Sequence, residues 1–363
     1  GDAFANAGWM KMEGRALLRI PERFRPITGA ELAFQTRAGR ARRKWLVWLG
    51  KLVYLAALGV CLIAYLGEFI GSLTWRDTTR IHETVESVMP FALIVTAVMY
   101  LLLVLEALAR GANTIVREKE TNNWEMLVLT GVDARRIVRG KWWAALRVSW
   151  PAWLRLLPLR AGLSVFIGAE LSRVTSAYMA TFAPGQTVIP PHPVSILLVP
   201  VLLLVFSFAA LALASALGVL ASSAAKRPVV ALSAALALHI GLIVAVVLST
   251  QFLQYLLYAG NAFITPARIV ASGVLSTLQV SWVDNATLFA ATLTTYHLVP
   301  HEMVAELSRD IFVALNEPRR LQLLSYAISL PLLLGMYAGL TWIALRLAER
   351  FAIRAGALAR QVR

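Results

Sequence analysis

Long apolar runs separated by short polar segments dominate this sequence. Six runs are long enough, at about 20 residues or more, to cross ~30 Å of hydrocarbon as helices. The pattern therefore predicts an all-α integral membrane protein with six transmembrane helices. These predicted spans cover residues 46–70, 88–109, 143–169, 194–221, 228–250 and 322–345.

The third run differs from the others because prolines and arginines interrupt it. Pro151 and Pro158 remove backbone donors, and Arg155 and Arg160 place charge within the apolar stretch. This composition predicts a kinked or partly re-entrant helix, whose freed backbone groups must be satisfied within the protein.

Three further features complete the predicted architecture. Residues 9–20 place Trp9, Met12, Ala16 and Ile20 on one side of a helix, which is typical of an N-terminal amphipathic helix at the membrane interface. The loop before the last span is long and still apolar, so it predicts short helices in the outer leaflet. The predicted regions are an interface segment (1–45), a six-span membrane domain (46–345) with a cytoplasmic elbow (110–142) and an outer loop (251–321), and a basic tail (346–363).

Composition excludes a soluble enzyme and charge predicts the orientation. Of 363 residues, 58% are hydrophobic, and the mean hydropathy is +0.67. The net charge is +15, with 26 lysines and arginines in the segments on one side of the predicted spans against 7 on the other. The positive-inside rule then puts both termini in the cytoplasm. Because topology explains the basic surplus, no nucleic-acid partner is expected.

The sequence lacks the residues that several kinds of chemical site require. The single cysteine, Cys61, lies in an apolar run, so no disulfide or thiolate cluster forms within the chain. His301-Glu302 lacks the second histidine of a zinc-binding H-E-x-x-H motif, and no metal site or catalytic residue is predicted. The pairs Gly50-Lys51 and Gly140-Lys141 lack the remainder of a phosphate-binding loop. No cofactor is therefore expected in this chain.

The most informative segment is 112–146. On a helical wheel its polar residues form one stripe and its apolar residues face largely the other way. A helix is predicted to stop near Thr130-Gly131 and to restart with Asp133 as N-cap, giving a helix-turn-helix elbow at the membrane surface. The polar stripe comprises Glu118, Thr121, Asn122 and Glu125, and the opposite face comprises Val116, Trp124 and Leu127.

This segment resembles the first cytoplasmic loop of ABC-2-type transporter permeases. The resemblance is carried by REKE-xxx-WE-x-LxLTG-x-D-xRRIVRGK, which begins at Arg117. Residues 25–44, RPITGAELAFQTRAGRARRK, are similar to the N-terminal segment of that family, with Pro26 and Glu31 at matching spacing. The six predicted spans and the long outer loop also fit.

The resemblance implies the membrane-spanning subunit of an ABC exporter in a prokaryotic inner membrane. Two permease subunits, identical or different, would associate with two ATPase subunits, which would bind ATP and Mg²⁺. In that family the loop forms a coupling helix that docks into the ATPase; the alternative for such a charged run is a solvated face. The implied contact residues are Glu118, Lys119, Glu120, Thr121, Asn122, Glu125 and Glu31.

Some alternatives remain open from the residues alone. Arg155 and Arg160 are candidate charges on a substrate path, although snorkelling to an interface is the favoured interpretation. An ion-coupled secondary transporter, an intramembrane enzyme acting on lipid-linked substrates and a non-transporting membrane anchor are the competing functions. Membrane lipids are expected partners in every case.

Overall fold

A computed structural model describes residues 44–74, 79–121, 123–124, 133–182, 193–259, 271, 274–275 and 318–361. The described chain is helical and contains no strand, as the apolar periodicity predicts. The predicted amphipathic helix at 9–20 and most of the predicted outer loop lie outside the described residues. The described residues form six long helices and the eight-residue helix α2; in chain order these are α1 (Lys44–Thr74), α2 (Thr79–Glu86), α3 (Met89–Glu120), α4 (Ala134–Phe182), α5 (Pro193–Ala224), α6 (Pro228–Ala259) and α7 (Pro318–Gln361).

Five of these helices are long and apolar enough to cross a membrane. Each overlaps one predicted span, and α4, which contains the third, is not among them. Charged residues recur along α4, which lowers its apolar character. The five candidate spans are Trp48–Gly71, Met89–Glu120, Pro200–Ala224, Pro228–Leu253 and Ala327–Arg354.

Helix α4 nevertheless runs the full depth of the bundle. Its 49 residues extend about 73 Å at 1.5 Å per residue. It lies parallel to α1: the Tyr54 hydroxyl donates to the Arg155 carbonyl at 3.1 Å, and Gly162 lies against the backbone of Cys61. The helix is continuous through Pro151 and Pro158, so the re-entrant alternative is wrong. Packing against neighbouring helices supports a continuous helix that apolar composition alone would not predict.

Consecutive long helices alternate in direction. The start of α4 contacts the end of α3 through Lys141 and Glu118, and the last third of α7 returns to α4 through Glu349 and Arg139. The start of α1 and the end of α7 therefore lie at one end of the bundle, with the short turn between α5 and α6. We call this end the basic end. The predicted basic tail is helical through Gln361, as a continuation of α7.

Helix α5 is the centre of the bundle and packs against α3, α4, α6 and α7. Its closest approach is to α3, where a Cβ on Gly218 would lie 2.5 Å from the Leu108 carbonyl oxygen and 2.9 Å from the Cα of Gly111. Below this crossing, the Ser222 hydroxyl accepts hydrogen bonds from the backbone N–H groups of Ile115 and Val116, at 2.9 and 2.8 Å. Small residues thus let two backbones touch.

The outer surface of the bundle is apolar. Helices α1 and α6 expose long rows of large hydrophobic side chains, whereas serines of α5 are buried inside. Exposed apolar surface of this extent is unstable in water and suits contact with lipid. The composition and length of the five helices together describe a multi-pass membrane protein.

Candidate functional site

The predicted elbow (110–142) includes the end of α3 and the start of α4. Helix α3 stops at Glu120, and both the backbone N–H and the hydroxyl of Thr121 donate to the Arg117 carbonyl, each at 3.0 Å. The predicted helix is therefore interrupted at Thr121, and Asn123 and Trp124 are helical again. Its predicted end near Thr130 falls on residues outside the described chain. A helical wheel shows only the direction of each side chain. It does not show hydrogen bonds from a threonine hydroxyl to a nearby backbone carbonyl, which compete with helix propagation. Residues 125–132 lie outside the described chain.

The restart of the helix is confirmed. Asp133 caps α4, with its side-chain Oδ1 accepting from the N–H of Arg135 at 3.1 Å. The Asp133 carbonyl accepts from the N–H of Arg136 at 2.8 Å. An aspartate here satisfies helix N–H groups that have no partner within the helix, so local chemistry alone sets this boundary.

Glu118 forms an ion pair with another residue of this chain. The Lys141 ammonium, which is almost fully buried, lies 3.0 Å from Glu118 Oε1 and donates to the Thr114 carbonyl at 2.9 Å. Glu118 and Thr114 belong to α3, and Lys141 belongs to α4. The pair therefore joins the two helices on either side of the elbow.

Lys119 is also directed into the protein. Its ammonium donates to the Ser223 carbonyl and, at 3.3 Å, to the Ala225 carbonyl. These oxygens lie at the C-terminus of α5, where carbonyl groups lack helical partners and a cation is favourable. Lys119 thereby links the end of α3 to the end of α5.

The remaining predicted contact residues divide into two groups. Glu120 and Thr121 are exposed at the end of α3. Asn122, Glu125 and Glu31 lie outside the described residues. On the predicted apolar face, Val116 and Trp124 are buried, and Leu127 lies outside the described chain.

Sequence reasoning missed a cluster in which three arginines surround Glu349. Arg139 donates to Glu349 Oε1 at 2.7 Å, Arg346 donates to Oε2 at 3.4 Å, and the Arg135 Nε lies 3.9 Å from Oε2. The Glu349 side chain is 3% exposed. We call these four residues the Glu349 cluster. Its signal in the sequence was weak because Arg139 and Glu349 are 210 residues apart.

The two intramembrane arginines have different surroundings. Arg155 is exposed on α4, whereas Arg160 is 1% exposed. The guanidinium of Arg160 lies 4.6 Å from the ring centroid of Tyr100 on α3, a cation–π contact. Arg160 also interacts electrostatically with Tyr337 of α7. It therefore packs inside the bundle, and an interfacial position fits only Arg155.

A buried pair that sequence reasoning also missed lies at the opposite end of the bundle. His82 Nδ1 of α2 is 2.9 Å from Glu68 Oε1 of α1, and both side chains are buried. The His82 ring stacks on Phe166 of α4, with centroids 4.3 Å apart. These two contacts join α2 to both α1 and α4 at this end of the bundle.

Within the described ranges, no group of three or more histidine, cysteine, aspartate or glutamate side chains is arranged to hold a metal ion. No protein-family model, curated protein or solved structure matches this chain.

Proposed function

We propose that this chain is the membrane permease subunit of an ATP-driven ABC exporter. The observation that carries the proposal is the braced elbow at the basic end. Glu118–Lys141 ties α3 to α4, and Lys119 ties α3 to α5. An element that transmits force from an ATPase must be joined to the bundle in this way, since a loosely attached loop would move alone.

The force would reach the whole bundle through these contacts. A load on the elbow acts first on α3 and α4, and Lys119 passes it to the central helix α5. Arg139, one turn into α4, passes it to α7 through Glu349. Closure of ATPase subunits beneath the elbow would thus reorient helices and expose a path between two permease subunits alternately to each side.

The alternating directions of the helices support the same proposal. With α4 as a sixth crossing, the start of α1 and the end of α7 lie on one side, and the positive-inside rule makes that side the cytoplasm. The elbow then faces the compartment that contains ATP. ATP and Mg²⁺ would be bound by the partner subunits, and the membrane would be the inner membrane of a prokaryote.

The geometry identifies the best residues for a docking test. Reversing Glu118 would place a cation against the buried Lys141 and damage the fold. Glu120 is exposed, and Glu125 completes the predicted acidic surface. The test variant is therefore Glu120→Lys with Glu125→Lys. Its matched control is Glu83→Lys with Glu86→Lys, which makes the same charge change on exposed positions of α2 at the opposite end.

Each variant is purified from native membranes in mild detergent, and the co-purifying proteins are identified by mass spectrometry and assayed for ATPase activity. We expect a stoichiometric ATP-binding subunit with the wild type and the control, and its loss with the elbow variant. Purification of the wild type without such a subunit would refute the proposal. Equal loss in both variants would refute docking at the elbow.

One observation favours a second candidate, an ion-coupled secondary transporter. Glu68 and His82 form a buried pair of ionisable groups, which is the kind of site that can bind and release a proton. If the chain were such a transporter, the rate of transport by the Glu68→Gln variant would no longer depend on a pH gradient. Under the exporter proposal, transport follows ATP hydrolysis and needs no gradient.

A further inference from the structure

The Glu349 cluster carries more positive charge than its carboxylate can neutralise. Three guanidinium groups meet one carboxylate, which leaves a formal surplus of two positive charges. The carboxylate is buried, but the side chains of Arg135, Arg139 and Arg346 are 58%, 30% and 39% exposed. The surplus charge is therefore accessible from outside the bundle.

Arg346 contributes a partly exposed guanidinium group to the cluster. Its Nη1 donates to Glu349 at 3.4 Å, its Nε is buried and therefore closed to a headgroup, and its side chain as a whole is 39% exposed. Exposed guanidinium groups bind phosphate oxygens well because several N–H groups lie in one plane.

The surface beside the cluster is apolar. The Arg346 guanidinium lies 5.3 Å from the ring centroid of the exposed Trp342, an aromatic residue of the type enriched at membrane–water interfaces. Ile343 and Leu347, on the same turns of α7, are exposed as well. All lie in the candidate span Ala327–Arg354. The positively charged cluster therefore lies beside an apolar surface that is suited to contact with lipid acyl chains.

We propose that the Glu349 cluster binds the phosphate headgroup of an anionic glycerophospholipid. A lipid satisfies both parts of the site, since its phosphate neutralises the surplus charge and its chains cover the apolar side chains of α7. A soluble phosphate would use only the first. Basic sites between membrane helices recognise anionic headgroups in this manner. The inference requires a membrane protein and is independent of the exporter proposal.

The bound lipid would stabilise the contact between α4 and α7. Arg135 comes from the first turn of α4 and Arg346 from α7, so one phosphate between them bridges the two helices. Because Arg139 and Glu349 remain paired without the lipid, the bridge adds to an existing contact.

The test compares two double variants that each remove two positive charges from the same two helices. Arg135→Gln with Arg346→Gln removes the exposed arginines of the cluster and keeps the Arg139–Glu349 pair. Arg136→Gln with Arg350→Gln removes neighbouring exposed arginines that make no ion pair with Glu349 among the described contacts. Each protein is reconstituted in nanodiscs of phosphatidylcholine alone, or of phosphatidylcholine with phosphatidylglycerol.

Thermal unfolding is measured in both nanodiscs, and retained lipid is identified by native mass spectrometry after extraction into detergent. We expect phosphatidylglycerol to raise the unfolding midpoint of the wild type and of the control by at least about 2 °C and to remain bound. Both effects should be lost in Arg135→Gln with Arg346→Gln.

Three results would overturn the proposal. The first is an unfolding midpoint of the wild type that is the same in the two kinds of nanodisc. The second is equal loss in both double variants, which would indicate diffuse attraction without a site. The third is an equal rise in phosphatidylcholine nanodiscs on adding glycerol phosphate, which would identify a soluble anion as the ligand.

Discussion

Arg155 and Arg160 show how strongly position within the bundle determines the role of one residue type. They are five residues apart on α4, yet the first is exposed and the second is buried against Tyr100. A desolvated cation–π contact contributes about 2 kcal/mol, and a methionine at this position would not make it. The same substitution should therefore have different effects at the two positions.

We expect Arg160→Met to lower the stability of the detergent-solubilised protein by about 2 kcal/mol, the value of the lost cation–π contact. Arg155→Met should remain within about 0.5 kcal/mol of the wild type, because exposed positions without such contacts tolerate substitution. Thermal unfolding monitored by tryptophan fluorescence measures both. Equal destabilisation by the two substitutions would show that Arg160 does not have the buried role assigned to it.

At the scale of elements, the contact between α3 and α5 depends on glycine. A Cβ on Gly218 would lie 2.9 Å or less from three atoms of the α3 backbone, and these cannot move aside as a side chain can. Gly218→Ala should separate the helices and cost about 1–3 kcal/mol. The control is Gly241→Ala on α6, where nothing lies within 4 Å. Alanine there should be neutral or stabilising, since it favours helix.

Thermal unfolding of both alanine variants in the same detergent checks this prediction. A loss of stability limited to Gly218→Ala would support close packing of α3 on the central helix. If Gly241→Ala destabilised the protein as much, the effect would come from helix α6 or its surroundings, and the argument from backbone contact would fail.

The molecule as a whole should cross the membrane six times. We expect Lys226→Cys and Arg354→Cys, both at the basic end, to be protected from a membrane-impermeant maleimide in spheroplasts and labelled after permeabilisation. Glu86→Cys, at the opposite end, should be labelled directly. Native Cys61 gives no background because it is buried. Labelling of the Lys226 and Glu86 positions from the same side would mean that α4 does not cross.

Much of the architecture follows from local pattern. Five predicted apolar runs overlap candidate spans, and the N-cap at Asp133 is where the sequence places it. These features depend on neighbours within a few residues, through hydrophobic periodicity and hydrogen bonds to nearby N–H groups. The end of α3 at Glu120 is equally local, but the competing hydrogen bonds of Thr121 are invisible to a helical wheel.

The apolar runs of membrane length in this chain could be recognised as helices without a structure, because each run specifies its own helix. Which charges lie inside the bundle depends instead on how the helices pack. Glu118 reads as part of an exposed stripe, yet it pairs with Lys141, and Glu349 reads as part of a tail, yet it binds arginines of α4. The physical reason is that burial and ion pairing join residues far apart in the chain, and no local pattern records which helices meet.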